Sequence, residues 1–159
     1  MNKKDFNKKT FIVTAYKTNE DKIAFLSSPI IRELIRDKKL IHFYKSFGQW
    51  INDNGTEMLE KGFFIELKNN ITYDRFLEIA ENIRIYLKQE CVTFQYNDNL
   101  GNIDSLQRGL LYHLDYNSYL NYQDAKIDFF NDVIIGVNSL KYDCFTIIQA
   151  QKLIFSFKF

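Results

Sequence analysis

Apolar and polar positions follow two periods in this chain. Phe11 to Tyr16 is rich in β-branched and aromatic residues and predicts a strand, while Lys17 to Lys22 is polar and reads as a loop. Ser27-Ser28-Pro29 is a helix start, with Ser as cap and Pro at the first helical position. Ile30, Ile31, Leu34 and Ile35 then share one helical face, opposite Arg32, Glu33, Arg36 and Asp37, and the helix should end near Lys38 or Lys39. Leu40 to Phe47 alternates loosely as a second strand, and Lys61 to Lys68 forms a third. Thr72 can cap a second helix, with Asp74 in its first turn and Phe76, Ile79, Ala80, Ile83 and Leu87 on one face. Cys91 to Tyr96 is a fourth strand, closed by Asn97-Asp98-Asn99.

The first hundred residues therefore read β-α-β-β-α-β, the order of a ferredoxin-like (split β-α-β) fold of the α+β class. Two helices would cover one face of an antiparallel sheet. The aromatic-rich second half or neighbouring subunits would cover the other. That second half is less regular. Leu110 to Leu114 predicts a strand, Tyr116 to Gln123 a tyrosine-rich loop or short helix, and Ile127 to Val137 is apolar without a clear type. Cys144 to Ile148 and Leu153 to Phe157 predict extra C-terminal strands. One Pro and six Gly leave no interdomain linker, so 1–159 reads as a single domain with a flexible tail over 1–10.

Composition narrows the function classes. Twenty-one basic and 20 acidic side chains give a net charge of +1, so no global field draws nucleic acid or an anionic membrane. The one basic cluster, Lys3, Lys4, Lys8 and Lys9, reads as part of the solvated tail. No apolar run reaches membrane-spanning length, and no signal-peptide core follows the charged start. A cytoplasmic, reducing location is expected, with Cys91 and Cys144 as buried thiols inside apolar runs.

The catalytic signatures that a short motif can carry are missing: no glycine-rich phosphate loop and no Gly-x-Ser-x-Gly elbow. His42 and His113 lie far apart and only two Cys accompany them, so no metal site is expected; a Cys144–His pair is a weak candidate. The tyrosines at 112, 116, 119 and 122 have no interleaved positive charge and read as packing or interface material. What remains is the stretch Gly48 to Leu67. It opens on Gly48-Gln49-Trp50, crosses the turn Asn52-Asp53-Asn54-Gly55, and places Glu57 and Glu60 ahead of a strand. Backbone freedom, an aromatic face and a carboxylate in one short segment suit a small organic cation. The plainer alternative is two solvated carboxylates at a loop end.

Several short stretches, in order, resemble the small bacteriophage S-adenosylmethionine (SAM) lyases, also called SAM hydrolases. These are Phe11 to Lys17, Gly48-Gln49-Trp50, Glu60-Lys61, Lys88 to Val92, Gly109 to Tyr112 and Asp143 to Ile147. The match departs at Trp50, where a Tyr is expected, and over residues 115–140. The resemblance implies a homotrimer of ferredoxin-like subunits, similar to the PII-type regulators, with ligand sites between subunits. It implies cleavage of SAM, as substrate and with no cofactor or metal, to 5′-methylthioadenosine and homoserine lactone in a host cytoplasm, countering SAM-dependent restriction. The family's functional Glu falls on Glu60, with Trp50, Gln49, Glu57 and Tyr16 as substrate contacts. Two other readings stay open: a non-enzymatic PII-like trimer that binds a nucleotide-like ligand as sensor or sponge, and an interaction protein sharing only the fold.

Overall fold

The computed structural model describes residues 5, 7–51, 57–98, 106–113, 116–120, 125–129, 144–148 and 153–157, with side chains placed over 5, 7–46, 60–98 and 106–112. The chain is α+β. Strand β1 (Thr10–Ala15) leads into helices α1 (Asn19–Leu26) and α2 (Pro29–Arg36). A long pair of strands follows, β2 (Leu40–Ile51) and β3 (Glu57–Leu67), then helix α3 (Tyr73–Tyr86), β4 (Val92–Asn97) and β5 (Leu106–His113). Further strands lie at β6 (Tyr116–Leu120), β7 (Ala125–Phe129), β8 (Cys144–Ile148) and β9 (Leu153–Phe157). They join one antiparallel sheet in the order β6-β5-β4-β1-β3-β2-β8-β9-β7. Within it the run β4-β1-β3-β2 is compatible with a ferredoxin-like arrangement, because each helical crossover returns the chain one strand away from its start.

The helices form for local reasons. Ser28 accepts from the Ile31 N–H and Pro29 stands at the first turn of α2; Thr72 accepts from the Arg75 N–H at the start of α3. Phe76, Ile79, Ala80, Ile83 and Leu87 of the third helix are all buried. They pack with Ile12, Phe63, Ile65, Phe94 and Leu111 from one sheet face and with Phe25, Ile31 and Leu34 from the other helices. Each large side chain taken from water contributes about 1.5–3 kcal/mol, so this layer dominates the stability of the fold.

The opposite, helix-free face is buried within the single chain as well. Phe11, Phe64 and Leu110 are fully buried there, beside the polar residues Glu66, Gln95, Asn97 and Arg108. Arg108 donates to Gln95 Oε1 at 2.7 Å and to Asn7 Oδ1 at 2.8 Å. Burial pulls its pKa down to about 10, which still leaves a cation at neutral pH.

Four expectations change, the first being that Tyr116–Leu120, expected in a loop or short helix, is strand β6 paired with β5. The polar stretch after β1 is not a loop: residues 19–26 are helical, capped by Thr18, whose hydroxyl accepts from the Asp21 N–H. Lys9 is not solvated tail. It pairs with buried Glu66 at 3.0 Å, and the segment is pinned further where Asn97 donates to the Asn7 carbonyl. A buried carboxylate needs such a cation, which is why the chain is ordered here. Residues 1–4 and 6 lie outside the described residues. Finally, Gly48-Gln49-Trp50 lies inside a strand and not beyond its end, while the expected turn residues 52–55 lie outside the described residues. The tripeptide continues β2, paired with β3 along its length and with β8 over Phe47–Gln49. Among the described residues, no helix is long and apolar enough to cross a membrane.

Candidate functional site

Glu60 lies on β3 where its pairing partner in β2 is Gly48. On the other side of β3, β1 is about to end. Ala15 pairs with Gly62, and the Tyr16 N–H donates to the Lys61 carbonyl at 3.1 Å, so Lys17 comes next along, beside Glu60. Strand alternation decides which face each side chain takes. Phe63 and Ile65 belong to the helix-covered core, and Phe64 and Glu66 to the opposite face. Glu60 and Ala15 therefore belong with the helix-free face, and Lys17 lies in the bend that follows β1. Cys91, one residue before β4, adjoins the same corner, and the Glu60 charge is felt at its thiol.

Glu60 is half-buried, and it makes no ion pair or hydrogen bond among the described residues. Burial therefore raises its pKa above the usual carboxylate value, and the positive charge of Lys17 opposes this without cancelling it. Cys91 is a free, half-buried thiol. Burial first, then the negative charges of Glu90 and Glu60, push it up to about 12, against a smaller opposing effect of Arg84. Burial thus favours the neutral thiol, the form least able to act as a nucleophile. Iodoacetamide at pH 7.5, a value near ordinary thiol chemistry, should alkylate Cys91 far more slowly in the native protein than after unfolding, as read by peptide mapping. Fast native labelling would show that the corner does not hold the thiol neutral.

The other expected site residues divide. Tyr16 lies near Glu60 in sequence register but on the opposite face. Its ring packs on Phe63 at 5.4 Å and under the Lys22 ammonium at 5.7 Å, so it is not brought beside the carboxylate. Trp50 pairs with Met58, Gln49 with Leu59 and Phe145, and Glu57 with Ile51. These backbone pairings put residue 50 two positions from the Gly48–Glu60 pair; the side chains of 49, 50 and 57 lie outside the described residues. His42 stacks on Tyr44 at 5.2 Å on exposed β2, and the side chains of His113 and Cys144 lie outside the described residues. No three metal-ligating side chains come together among the described residues. Lys17 is the neighbour of Glu60 that residue types alone did not single out; it lies two residues beyond the end of β1.

No family model, curated protein or solved structure matches the chain. The functional reading therefore rests on this corner and on the sequence resemblance. A separate cleft of about 280 Å³ opens between α2 and α3, lined by Leu34, Asp37, Lys39, Asn70, Thr72 and Arg75. It sits at the far end of β3, about 20 Å from Glu60 at 3.3 Å per strand residue. Within it Arg75 pairs with Glu33 at 2.9 Å, and Lys39 donates to Asn70 Oδ1 at 3.1 Å.

Proposed function

We propose that this protein is a SAM lyase, in which Glu60 faces the cationic part of SAM and the substrate performs its own displacement. One observation carries the reading: Glu60 is a half-buried carboxylate without a protein partner among the described residues, on the interior strand β3 of an antiparallel sheet compatible with the ferredoxin-like fold. A partly desolvated, unpaired carboxylate is costly in the free protein, and an arriving cation relieves that cost.

The chemistry is balanced without help from the enzyme. The substrate carboxylate attacks its own γ-carbon; the new carbon–oxygen bond closes the lactone as the carbon–sulfur bond breaks. The bonding pair leaves on sulfur, which passes from sulfonium to neutral thioether. The products are 5′-methylthioadenosine and homoserine lactone. Folding the substrate into this geometry can contribute about 7–11 kcal/mol. A fixed carboxylate and, from residue 50, an aromatic face would add electrostatic terms. The neutral thiol of Cys91 suits a site that supplies no nucleophile. Trp50, Gln49 and Glu57 are the remaining proposed contacts, in a homotrimer of ferredoxin-like subunits acting in the cytoplasm of a phage host, where depletion of SAM would disarm restriction.

Pure protein incubated with SAM and no added metal should release methylthioadenosine and homoserine lactone, separable by chromatography. SAM surviving intact at high protein concentration overturns the lyase reading. Tight binding without turnover would leave the sensor or sponge, and a monomer that binds no small molecule would leave the interaction protein.

A further inference from the structure

The corner that holds Glu60 also presents a cation. Lys17 lies in the bend two residues beyond the end of β1, is exposed, and stands near Glu60, whose chain neighbour Lys61 accepts from the Tyr16 N–H. The two are close enough for Lys17 to act on Glu60 through space, yet neither is in an ion pair among the described residues. The other cations nearby are occupied or point elsewhere. Arg84 is bound to Glu81 and to the Gln89 carbonyl, and Lys22 stands over the Tyr16 ring on the helix-covered side. Lys61 takes the parity of Phe63, opposite to that of Glu60. A carboxylate and an ammonium near each other but not joined complement a zwitterion.

We propose that Lys17 and Glu60 together form a receptor for an α-amino-acid head group, Glu60 taking the ammonium and Lys17 one oxygen of the carboxylate. This rests on the lyase reading and narrows it. The head group is fixed at two points, so the free carboxylate oxygen is turned toward the γ-carbon. Lys17 is thus a binding residue that selects amino-acid sulfonium compounds over amines lacking the carboxylate.

The test is calorimetry on the full chain with two probes that cannot form the lactone readily: S-adenosylhomocysteine and its decarboxylated amine. Lys17→Met should weaken S-adenosylhomocysteine binding about tenfold, the scale of one charge-assisted hydrogen bond at an exposed site. It should leave the decarboxylated amine unaffected, and Lys17→Arg should restore most of the loss. A purely structural role would weaken both probes alike. Equal loss for both, or no loss for either, overturns the Lys17 assignment, and the lyase reading stands if wild-type protein still cleaves SAM. Selective loss in a protein that leaves SAM intact sustains the receptor and overturns the lyase. Failure of wild-type protein to bind S-adenosylhomocysteine overturns the receptor outright.

Discussion

Glu60→Gln should lose turnover of SAM by about 10²–10³-fold, the usual cost of removing one preorganised electrostatic partner. The amide keeps the shape and hydrogen-bonding reach of the side chain and removes only its charge. A unit charge about 4 Å from a cation, at an effective dielectric near 20, is worth about 4 kcal/mol, which covers that range. The variant should fold at least as well as the parent, because Glu60 has no hydrogen-bond or ion-pair partner to lose among the described residues. Rates by chromatography and melting by circular dichroism separate the two effects. Full activity in Glu60→Gln would remove the residue from the mechanism.

The raised pKa of Glu60 fixes the sign of the pH dependence. Burial makes the folded state hold this proton more tightly than the unfolded state. Its contribution to stability is therefore favourable at low pH and is lost as pH rises from the ordinary carboxylate value through the raised folded one. Activity runs the other way, since only the ionised carboxylate attracts a sulfonium or ammonium. The acid limb of kcat/KM should thus lie above the normal carboxylate range. The limb of kcat should lie lower, because bound cation favours the ionised form. Glu60→Gln should show neither the stability trend nor the displaced limb.

How much of this was legible in the chain depends on the range of the interactions involved. Helix α3 was legible because its cap and its buried face are both local: Thr72, then Phe76, Ile79, Ala80 and Ile83. Helix α1 was not, because it buries only Phe25 and shows no apolar stripe; its signals were the Thr18 cap and the acidic pair Glu20 and Asp21 in the first turn. Gly48-Gln49-Trp50 resembled a loop entrance because glycine and turn residues crowd the region. β2 nonetheless runs on to Ile51, paired with β3 and with β8, and the second of these partners is distant in sequence. The same holds for the site. Lys17 and Cys91, the neighbours of Glu60, come from just after β1 and just before β4, brought near it by sheet register. Tyr16 failed as a neighbour for a reason carried by β1 itself, since alternation turns it to the side of Ile12 and away from that of Ala15.

Gly62 makes that register possible, and Gly62→Ala should destabilise the protein by about 3 kcal/mol, the upper end of overpacking costs. A Cβ at this position would fall on the Thr14 carbonyl oxygen and stand 2.8 Å from both the Thr14 carbonyl carbon and the Ala15 Cα. All of these are backbone atoms, so no rotamer change relieves the clash. The strand must move instead, and β1 is central, paired with β3 over six positions and with β4 on its other edge. At about 2–4 °C per kcal/mol for a chain of this size, the melting temperature should fall by roughly 10 °C. Lys61→Ala, one residue away and exposed, should change stability by less than about 0.5 kcal/mol and serves as the control. The activity of Gly62→Ala should fall even at temperatures where the variant is fully folded, because displacing the end of β1 carries Lys17 away from Glu60. An unaltered melting temperature would show that β1 and β3 do not approach this closely in solution, and the pairing of Lys17 with Glu60 would lose its structural basis.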